Sequence, residues 1–199
     1  MKSNICKITN GTLDLDLILA ESEKVAVYNG LDHKQTLQLR LLCEELDGML
    51  PNIVEVFEGD FWIEFENGIC KINSSIQLLE IDPLLKKDLI DISKNKKNSA
   101  KVGIGGKIRS AVETFFVNEN SIHSYATQTG ATYLGTGYFD GMNYSYLWSL
   151  EQYKNELKEE NQKDAWDELE KSVIYSVADD VLVGIKGKKV DVVIVKKFA

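Results

Sequence analysis

The chain has 199 residues, of which 44% are hydrophobic and 27% are charged, with two prolines and a formal net charge of −8. This composition is typical of one globular domain and excludes fibrous and intrinsically disordered chains. The acidic balance argues against wide contact with nucleic acid, because duplex binding depends on Lys and Arg side chains that neutralise phosphates.

The chain carries no sign of a membrane segment or of a disulfide framework. No stretch approaches the roughly 20 apolar residues of a membrane span, and the N-terminus has no basic segment leading into an apolar run. Cys6, Cys43 and Cys70 are odd in number and far apart, with no pair at metal-ligand spacing. We therefore expect a cytoplasmic protein with reduced, buried thiols and no nucleic-acid or membrane partner; the oligomeric state is left open.

The first predicted element is extended. Within the segment from Ile5 to Leu19, leucines at positions 13, 15, 17 and 19 alternate with Asp14, Asp16 and Ile18, and this period of two predicts a strand or an extended lead-in. A short helix is predicted next, near Glu21 to Tyr28.

A longer helix is predicted from His33 to Leu50. Asp32 precedes it as an N-cap, and Gln35 stands three residues later, in the place of a capping-box partner. Gly48 and Pro51 are predicted to mark its end. An apolar stripe at helical spacing is predicted to face the core and consists of Leu39, Leu42, Leu46 and Met49.

Two β-hairpins are predicted. The first lies between Ile53 and Gln77, with a turn at Glu66-Asn67-Gly68. In the second, a strand from Val181 to Ile185 is followed by a turn at Gly187-Lys188. The returning strand, Val190 to Val195, is nearly continuous in Val and Ile, which is typical of a central strand.

A basic, glycine-rich segment, Lys94 to Arg109, stands out in this acidic protein. It lies between helices predicted at Leu84 to Ile92 and at Lys107 to Phe116. Glycine N–H groups approach an anion closely, a helix start adds partial positive charge, and lysines add full charges. The segment is therefore a candidate phosphate site, although such loops more often serve as solvated connections.

Other common chemistries lack support. His33 and His123 have no carboxylate or cysteine at ligand spacing, so the sequence predicts neither a zinc site nor a Ser-His-Asp triad. The stretch from Gly103 to Gly106 is not a Walker loop, because no Gly-Lys-Ser/Thr follows a strand.

The last third of the chain begins with an insertion. Residues 118–147 are rich in Asn, Ser, Thr, Gly and Tyr and show no sustained periodicity. Ser149 to Asn161 is highly charged and predicts a solvated helix, which leads into a buried helix from Trp166 to Val177.

Two stretches carry a family resemblance. Leu41-Leu42-Cys43-Glu44-Glu45-Leu46-Asp47-Gly48-Met49 is similar to a helix that bears a Glu for activating water or a hydroxyl group, and Ala178 to Val183 with Lys188 to Phe198 is similar to a final helix end and strand pair. Together with the order of helix, hairpin, basic glycine segment, helix and closing hairpin, they resemble the GHKL ATPase fold of anti-sigma factor kinases and histidine kinase catalytic domains. The matched elements lie within residues 30–110 and 165–198.

This resemblance implies an α+β fold in which a mixed, mostly antiparallel sheet packs on helices as a two-layer sandwich. It implies a single GHKL-like domain over residues 1–199, with an insertion at about 118–147. It also implies ATP and Mg²⁺ as cofactors, Glu45 or Glu44 as the catalytic base, and phosphate binding by a segment similar to the family's second glycine box. The residues that it assigns to the nucleotide are Asn73, Lys101, Gly103, Gly105, Gly106 and Lys107.

The chain departs from the family at the metal position. The family's Asn stands four residues after its Glu, where this chain has Gly48 or Met49, so no metal ligand is named. The expected function is regulatory binding of ATP or a related nucleotide, with ATPase or protein kinase activity left open. The alternative is a nucleotide-free module on the same fold that binds a protein partner through the Tyr-rich insertion and the acidic helix.

Overall fold

The computed structural model describes residues 1–9, 15–53, 57–78, 146–159 and 172–198, together with positions 104, 106, 108 and 112. The strands in these residues are β1 (Cys6–Thr9), β2 (Phe57–Glu66), β3 (Ile69–Leu78), β4 (Tyr146–Ser149), β5 (Asp180–Lys186) and β6 (Lys189–Lys197). The helices described over their length are α1 (Leu15–Tyr28), α2 (His33–Ile53), α3 (Leu150–Glu159) and α4 (Val173–Val177).

The strands form one sheet in the order β1-β2-β3-β6-β5-β4. The two hairpins lie side by side, because β3 pairs with β6 from Ile69 opposite Lys197 to Gln77 opposite Lys189. An α+β fold is confirmed. Where a mixed sheet was expected, every pair of neighbouring strands in the described residues is antiparallel.

Both predicted hairpin turns are confirmed. Asn67 and Gly68 have φ angles of 51° and 77°, the left-handed values that a two-residue hairpin turn of type I′ requires. A Cβ atom at Gly68 would also lie only 2.9 Å from the carbonyl oxygen of Phe198, so this position requires glycine for space as well as for φ. In the second hairpin, Gly187 has a φ of 58°.

The core fills the space between the helices and one face of the sheet. Side chains alternate along a strand, so every second residue of β2, β3 and β6 faces the helical layer. Burying one large aliphatic or aromatic side chain stabilises the fold by about 1.5–3 kcal/mol. The fully buried residues at the centre of this core are Leu39, Leu42, Leu46, Phe61, Ile63, Ile72 and Ile194.

The helices are arranged in a definite order across the sheet. α1 contacts α2 and β2, whereas α2 contacts β6 and α4. Because only Ala178 and Asp179 separate α4 from β5, α4 lies on the β5 side of α2 and α1 lies on the β2 side. The order across this layer is therefore α1, α2, α4.

The other face of the sheet has its own small apolar cluster. Leu182, Val193 and Val195 are at most 4% exposed, and Ile69 packs against them. β6 is consequently buried on both faces, which explains its continuous run of Val and Ile. The predicted central position of this strand is confirmed.

The predicted start of α2 is confirmed by its capping box. The Gln35 backbone N–H donates to Oδ1 of Asp32 at 2.8 Å, and the Asp32 N–H donates to Oε1 of Gln35 at 3.0 Å. The predicted end is wrong, because the helix continues through Gly48 and Pro51 to Ile53. Proline removes a single hydrogen bond there, whereas packing of the neighbouring apolar residues Met49 and Leu50, both buried, holds the last turn in place.

The extended prediction for the N-terminal region is confirmed for Cys6–Thr9 and wrong from Leu15 onwards. Leu15–Tyr28 is helical, which confirms the helix predicted near Glu21 to Tyr28 and extends it towards the N-terminus. Its buried residues repeat at helical spacing: Ile18, Leu19, Glu21, Ser22, Val25 and Ala26. Leu17, which a strand would have buried with Leu15 and Leu19, is 43% exposed. The alternation of Leu and Asp was therefore fortuitous, and packing against α2 and β2 selected the helix.

The remaining predictions are tested only in part. α3 confirms the solvated helix, and α4 matches the last turn of the helix predicted from Trp166. The sequence pattern missed β4, which pairs with β5 at the end of the predicted insertion. The helix predicted at Leu84 to Ile92 and positions 118–145 lie outside the described residues. No helix within the described part of the chain is both long and apolar enough to cross a membrane.

Candidate functional site

The two candidate bases, Glu44 and Glu45, lie in the C-terminal half of α2 and have different surroundings. Nε of Arg40 donates to Oε1 of Glu44 at 3.3 Å, and Nη1 of Arg40 donates to Oε1 of Glu23 in α1 at 2.8 Å. These side chains form a partly exposed ion-pair chain across α1 and α2. Glu44 therefore belongs to the contact between two helices.

Glu45 lies on the other flank of α2. It follows Arg40 by five residues, which rotates it about 140° around the helix axis, away from the α1 side. Since α4 lies on the side of α2 opposite to α1, this flank faces the β5 side of the helical layer. Glu45 is half-buried and is free of the Arg40 ion pairs. Of the two candidate bases, only Glu45 lies outside the ion pairs that join α2 to α1.

Asp47 is a third acidic residue of α2, which the sequence analysis did not select. Its Oδ1 atom is buried without a hydrogen-bond partner in the described structure, and burial raises the pKa of its carboxyl group. Asp47 follows Arg40 by seven residues, about two helical turns, and so lies on the α1 flank. The acidic residues of α2 therefore do not converge on one point.

The structure places the start of the glycine segment's helix earlier than predicted. Ile104, Gly106, Ile108 and Val112 are helical, and the three apolar ones are buried in the same core as α2. Gly106 therefore belongs to a helix, whereas the helix was predicted to begin at Lys107. Burial of Ile104 and Ile108, four residues apart on one face, outweighs the cost of about 1 kcal/mol for a glycine within a helix. The other assigned positions, Lys101, Gly103, Gly105 and Lys107, lie outside the described residues.

Asn73 lies on the opposite side of the sheet from these groups. Its neighbours Ile72 and Ser74 face the helices, so the Asn73 side chain points to the other face. There its Nδ2 group donates to the carbonyl oxygens of Lys71, at 3.0 Å, and Trp62, at 3.5 Å. The structure therefore brings Asn73 together with neither Glu45 nor Gly106.

The buried thiols and the acidic groups do not form a metal centre. Within the described residues, no three His, Cys, Asp or Glu side chains are arranged to hold a metal ion. Cys6, Cys43 and Cys70 are buried thiols, as predicted. Burial raises the pKa of Cys70 to about 12 and that of Cys43 well above its usual range, so these thiols stay protonated.

A buried carboxylate missed at the sequence level occurs at the start of α3. Oδ1 of Asp180 in β5 accepts the backbone N–H groups of Glu151, at 3.1 Å, and Val181, at 2.8 Å. Burial raises its pKa, and the hydrogen bonds oppose that shift. Ser149 caps the same helix through the N–H of Gln152, and its Ser-x-x-Gln spacing was the available sequence signal. Asp180 therefore joins β5 to α3.

No family model, curated protein or solved structure matches this chain. Its function is therefore inferred from its own residues. Among the described residues, the predicted site is represented by the half-buried carboxylate of Glu45 and by Gly106, which is helical between the buried residues Ile104 and Ile108.

Proposed function

We propose that the protein is a regulatory nucleotide-binding protein resembling the GHKL ATPase domains of anti-sigma factor kinases and histidine kinases, and that it holds phosphates without transferring them. One observation carries this proposal. Ile104 and Ile108 within the glycine segment, and Val112 just after it, are helical and are anchored in the same core as the helix bearing Glu45. A glycine-rich helix start on a fixed support is suited to phosphate binding.

Phosphate binding at this point has a clear physical basis. The first four N–H groups of a helix lack partners within the helix, and the helix dipole adds about half a positive charge at that end. Lys101 and Lys107 flank the glycines in sequence and add two full charges. In a chain of net charge −8, such a local cationic point supports binding of an anion with several charges.

The donor set on α2 does not fit Mg²⁺. The position four residues after Glu45 is Met49, a buried apolar side chain, and the position four residues after Glu44 is Gly48. Mg²⁺ requires oxygen ligands, which neither side chain provides. We therefore assign no step to a metal ion, and nucleotide binding is expected to persist when divalent cations are removed.

Recognition of the base is expected to be weak. Asn73, the residue assigned to adenine by the resemblance, faces the other side of the sheet and bonds backbone carbonyls there. The phosphates then supply most of the binding free energy. ATP, GTP and ADP are accordingly expected to bind with affinities that depend more on the number of phosphates than on the base.

A thermal shift measurement tests this proposal. ATP, GTP and ADP are added with and without Mg²⁺, and a ligand at 100 times its Kd stabilises the folded state by about 2.7 kcal/mol. Replacing both Lys101 and Lys107 with Ala is expected to reduce the shift. Lys34→Ala, an exposed lysine at the start of α2, serves as the matched control and is expected to leave it unchanged. Absence of any shift at millimolar nucleotide would contradict the proposal.

Protein binding without nucleotide is the second candidate function. It is supported by exposed apolar side chains on the α1–α2 hairpin, since Val27, Tyr28 and Leu37 are 81%, 75% and 51% exposed. If no nucleotide shift is found, a partner captured by the wild-type chain should be lost by the double variant Val27→Ser, Leu37→Ser and kept by Lys34→Ser. Equal capture by the double variant would contradict this alternative.

A further inference from the structure

The N-terminal segment pairs with β2 in two different registers. Lys2 lies opposite Glu64, whereas Cys6 lies opposite Phe61. The chain advances four residues from Lys2 to Cys6, whereas the paired strand advances only three, from Glu64 to Phe61. The N-terminal segment therefore contains one extra residue between Lys2 and Cys6. This is a β-bulge, which interrupts the ladder and separates residues 1–5 from β1.

Residues 1–5 are held on the end of β2 by polar contacts, which include the Lys2–Glu64 ion pair at 3.2 Å and a hydrogen bond from the Met1 ammonium group to the carbonyl oxygen of Phe65 at 2.6 Å. The Ser3 N–H donates to the carbonyl oxygen of Ile63 at 2.8 Å, and the Ile63 N–H donates to Oγ of Ser3 at 2.9 Å. The Phe65 N–H donates to the carbonyl oxygen of Met1 at 2.8 Å. Of the five side chains only Ser3 is buried, so little apolar surface holds this segment, in contrast to Cys6 and Ile8 in the core.

The bulge is attached to α1 through a buried carboxylate. Oε2 of Glu21 accepts the backbone N–H of Asn4 at 3.1 Å, and Oε1 accepts its Nδ2 group at 3.0 Å. Nζ of Lys24 donates to the same Oε1 at 2.6 Å. The Glu21 side chain is only 4% exposed, and its two contacts with the exposed Asn4 are partly buried. Hydrogen bonds to a buried charged group are the stronger kind.

We propose that residues 1–5 form a strap that opens and closes independently of the rest of the sheet, with the Asn4–Glu21 contact as its latch. The bulge separates the strap from β1, and few apolar contacts oppose its release. Opening uncovers the N–H groups of Ile63 and Phe65 at the edge of β2, while β1 and the central strands stay paired. The latch therefore controls the exposure of one edge of the sheet.

Native-state hydrogen exchange of the full chain tests the strap. In the wild type, the amides of Ile63 and Phe65 are expected to exchange faster than those of Ile72 and Val193 in the central strands. Asn4→Ala is expected to raise exchange at Ile63 and Phe65 about tenfold, with little effect on the central amides. Ile5→Ala, an exposed strap residue without a contact to Glu21 among those described, is the matched control and is expected to change these rates less than about twofold.

Two outcomes would overturn the proposal. Unchanged exchange at Ile63 and Phe65 in Asn4→Ala would show that the contact is not a latch. An equal rise at all four amides would show that the strap does not open separately. If Asn4→Ala does not fold, the exchange rates of Glu21→Gln are measured in the same way and judged by the same two criteria. This substitution keeps a hydrogen-bond acceptor but removes the charge.

Discussion

The two ends of the sheet are stabilised in different ways. At the β6–β5 end both faces are buried, by the main core on one side and by Leu182, Val193 and Val195 on the other. At the β1–β2 end the face away from the helices carries charge pairs instead, including Lys7 with Asp60 at 2.6 Å and Lys2 with Glu64 at 3.2 Å. The comparison teaches that a continuous apolar strand marks burial on both faces, whereas an alternating strand marks burial on one.

The largest expected effect separates the two ends directly. Leu182→Ala removes a buried side chain from the face without helices and is expected to lower the free energy of unfolding by about 2–5 kcal/mol. Lys7→Ala, on the same face at the other end, removes only an exposed ion pair and is expected to lower it by less than about 1 kcal/mol. Urea denaturation measures both, and similar losses for the two variants would contradict the distinction.

A second substitution tests whether the β1–β2 end is tightly packed on its helix-covered face. A Cβ atom at Gly59 would meet the backbone carbonyl oxygen of Ser75 and lie 2.9 Å from Cα of Ile76. Neither backbone atom can move without disturbing the β2–β3 ladder, so Gly59→Ala is expected to destabilise the fold by about 1–3 kcal/mol. Chemical denaturation checks this, with Glu58→Ala at the exposed neighbouring position as control. A neutral Gly59→Ala variant would show that the two strands can separate locally.

Two buried carboxylates, one at each end of the sheet, are expected to give the free energy of unfolding opposite dependences on pH. The Lys24 hydrogen bond, helped by Asn4, lowers the pKa of Glu21, so its stabilisation is complete above the ordinary Glu pKa and is lost as pH falls through the folded pKa. Burial raises the pKa of Asp180, so its charge destabilises the fold at neutral pH, and this penalty disappears as pH falls through that raised value.

The corresponding variants separate these contributions. Glu21→Gln is expected to lower the free energy of unfolding by about 1–3 kcal/mol at neutral pH and to reduce the loss in acid. Asp180→Asn is expected to remove a contribution that makes the folded state more stable as pH falls. Unfolding curves between about pH 3 and 7 measure both. The prediction fails if both variants change the pH profile in the same direction, or if exposed Glu23→Gln has the effect of Glu21→Gln.

The smallest effect is expected at a glycine that, unlike Gly59, has free space around it. Gly48 lies within α2, and a Cβ atom placed there would have no atom within 4 Å beyond its own helix. Gly48→Ala is therefore expected to raise the free energy of unfolding by about 0.5–1 kcal/mol, because alanine loses less backbone freedom in a helix. A shift of the thermal midpoint in the opposite direction would show that the bend or spacing of α2 depends on this glycine.

The candidate site was predictable to a smaller extent than the fold. The sequence selected Glu44 and Glu45 together, and only the Arg40 ion pairs assigned Glu44 to the contact with α1. It also grouped Asn73 with the glycine segment, although strand alternation places Asn73 on the other face of the sheet. Such assignments depend on which residues meet across elements, and a residue's position in sequence does not contain that information.

The sequence by itself determined the local features: both hairpin turns, the capping box of α2, the central β6 strand and the buried thiols. Each depends on near neighbours or on one-dimensional hydrophobic patterns. Only the tertiary structure decided that the helix predicted near Glu21 to Tyr28 begins at Leu15, that Gly106 belongs to a helix and that the two hairpins join through β3 and β6. In these cases burial against distant residues outweighed local propensity, because packing a large apolar side chain contributes more free energy than the preference of one residue for helix or strand.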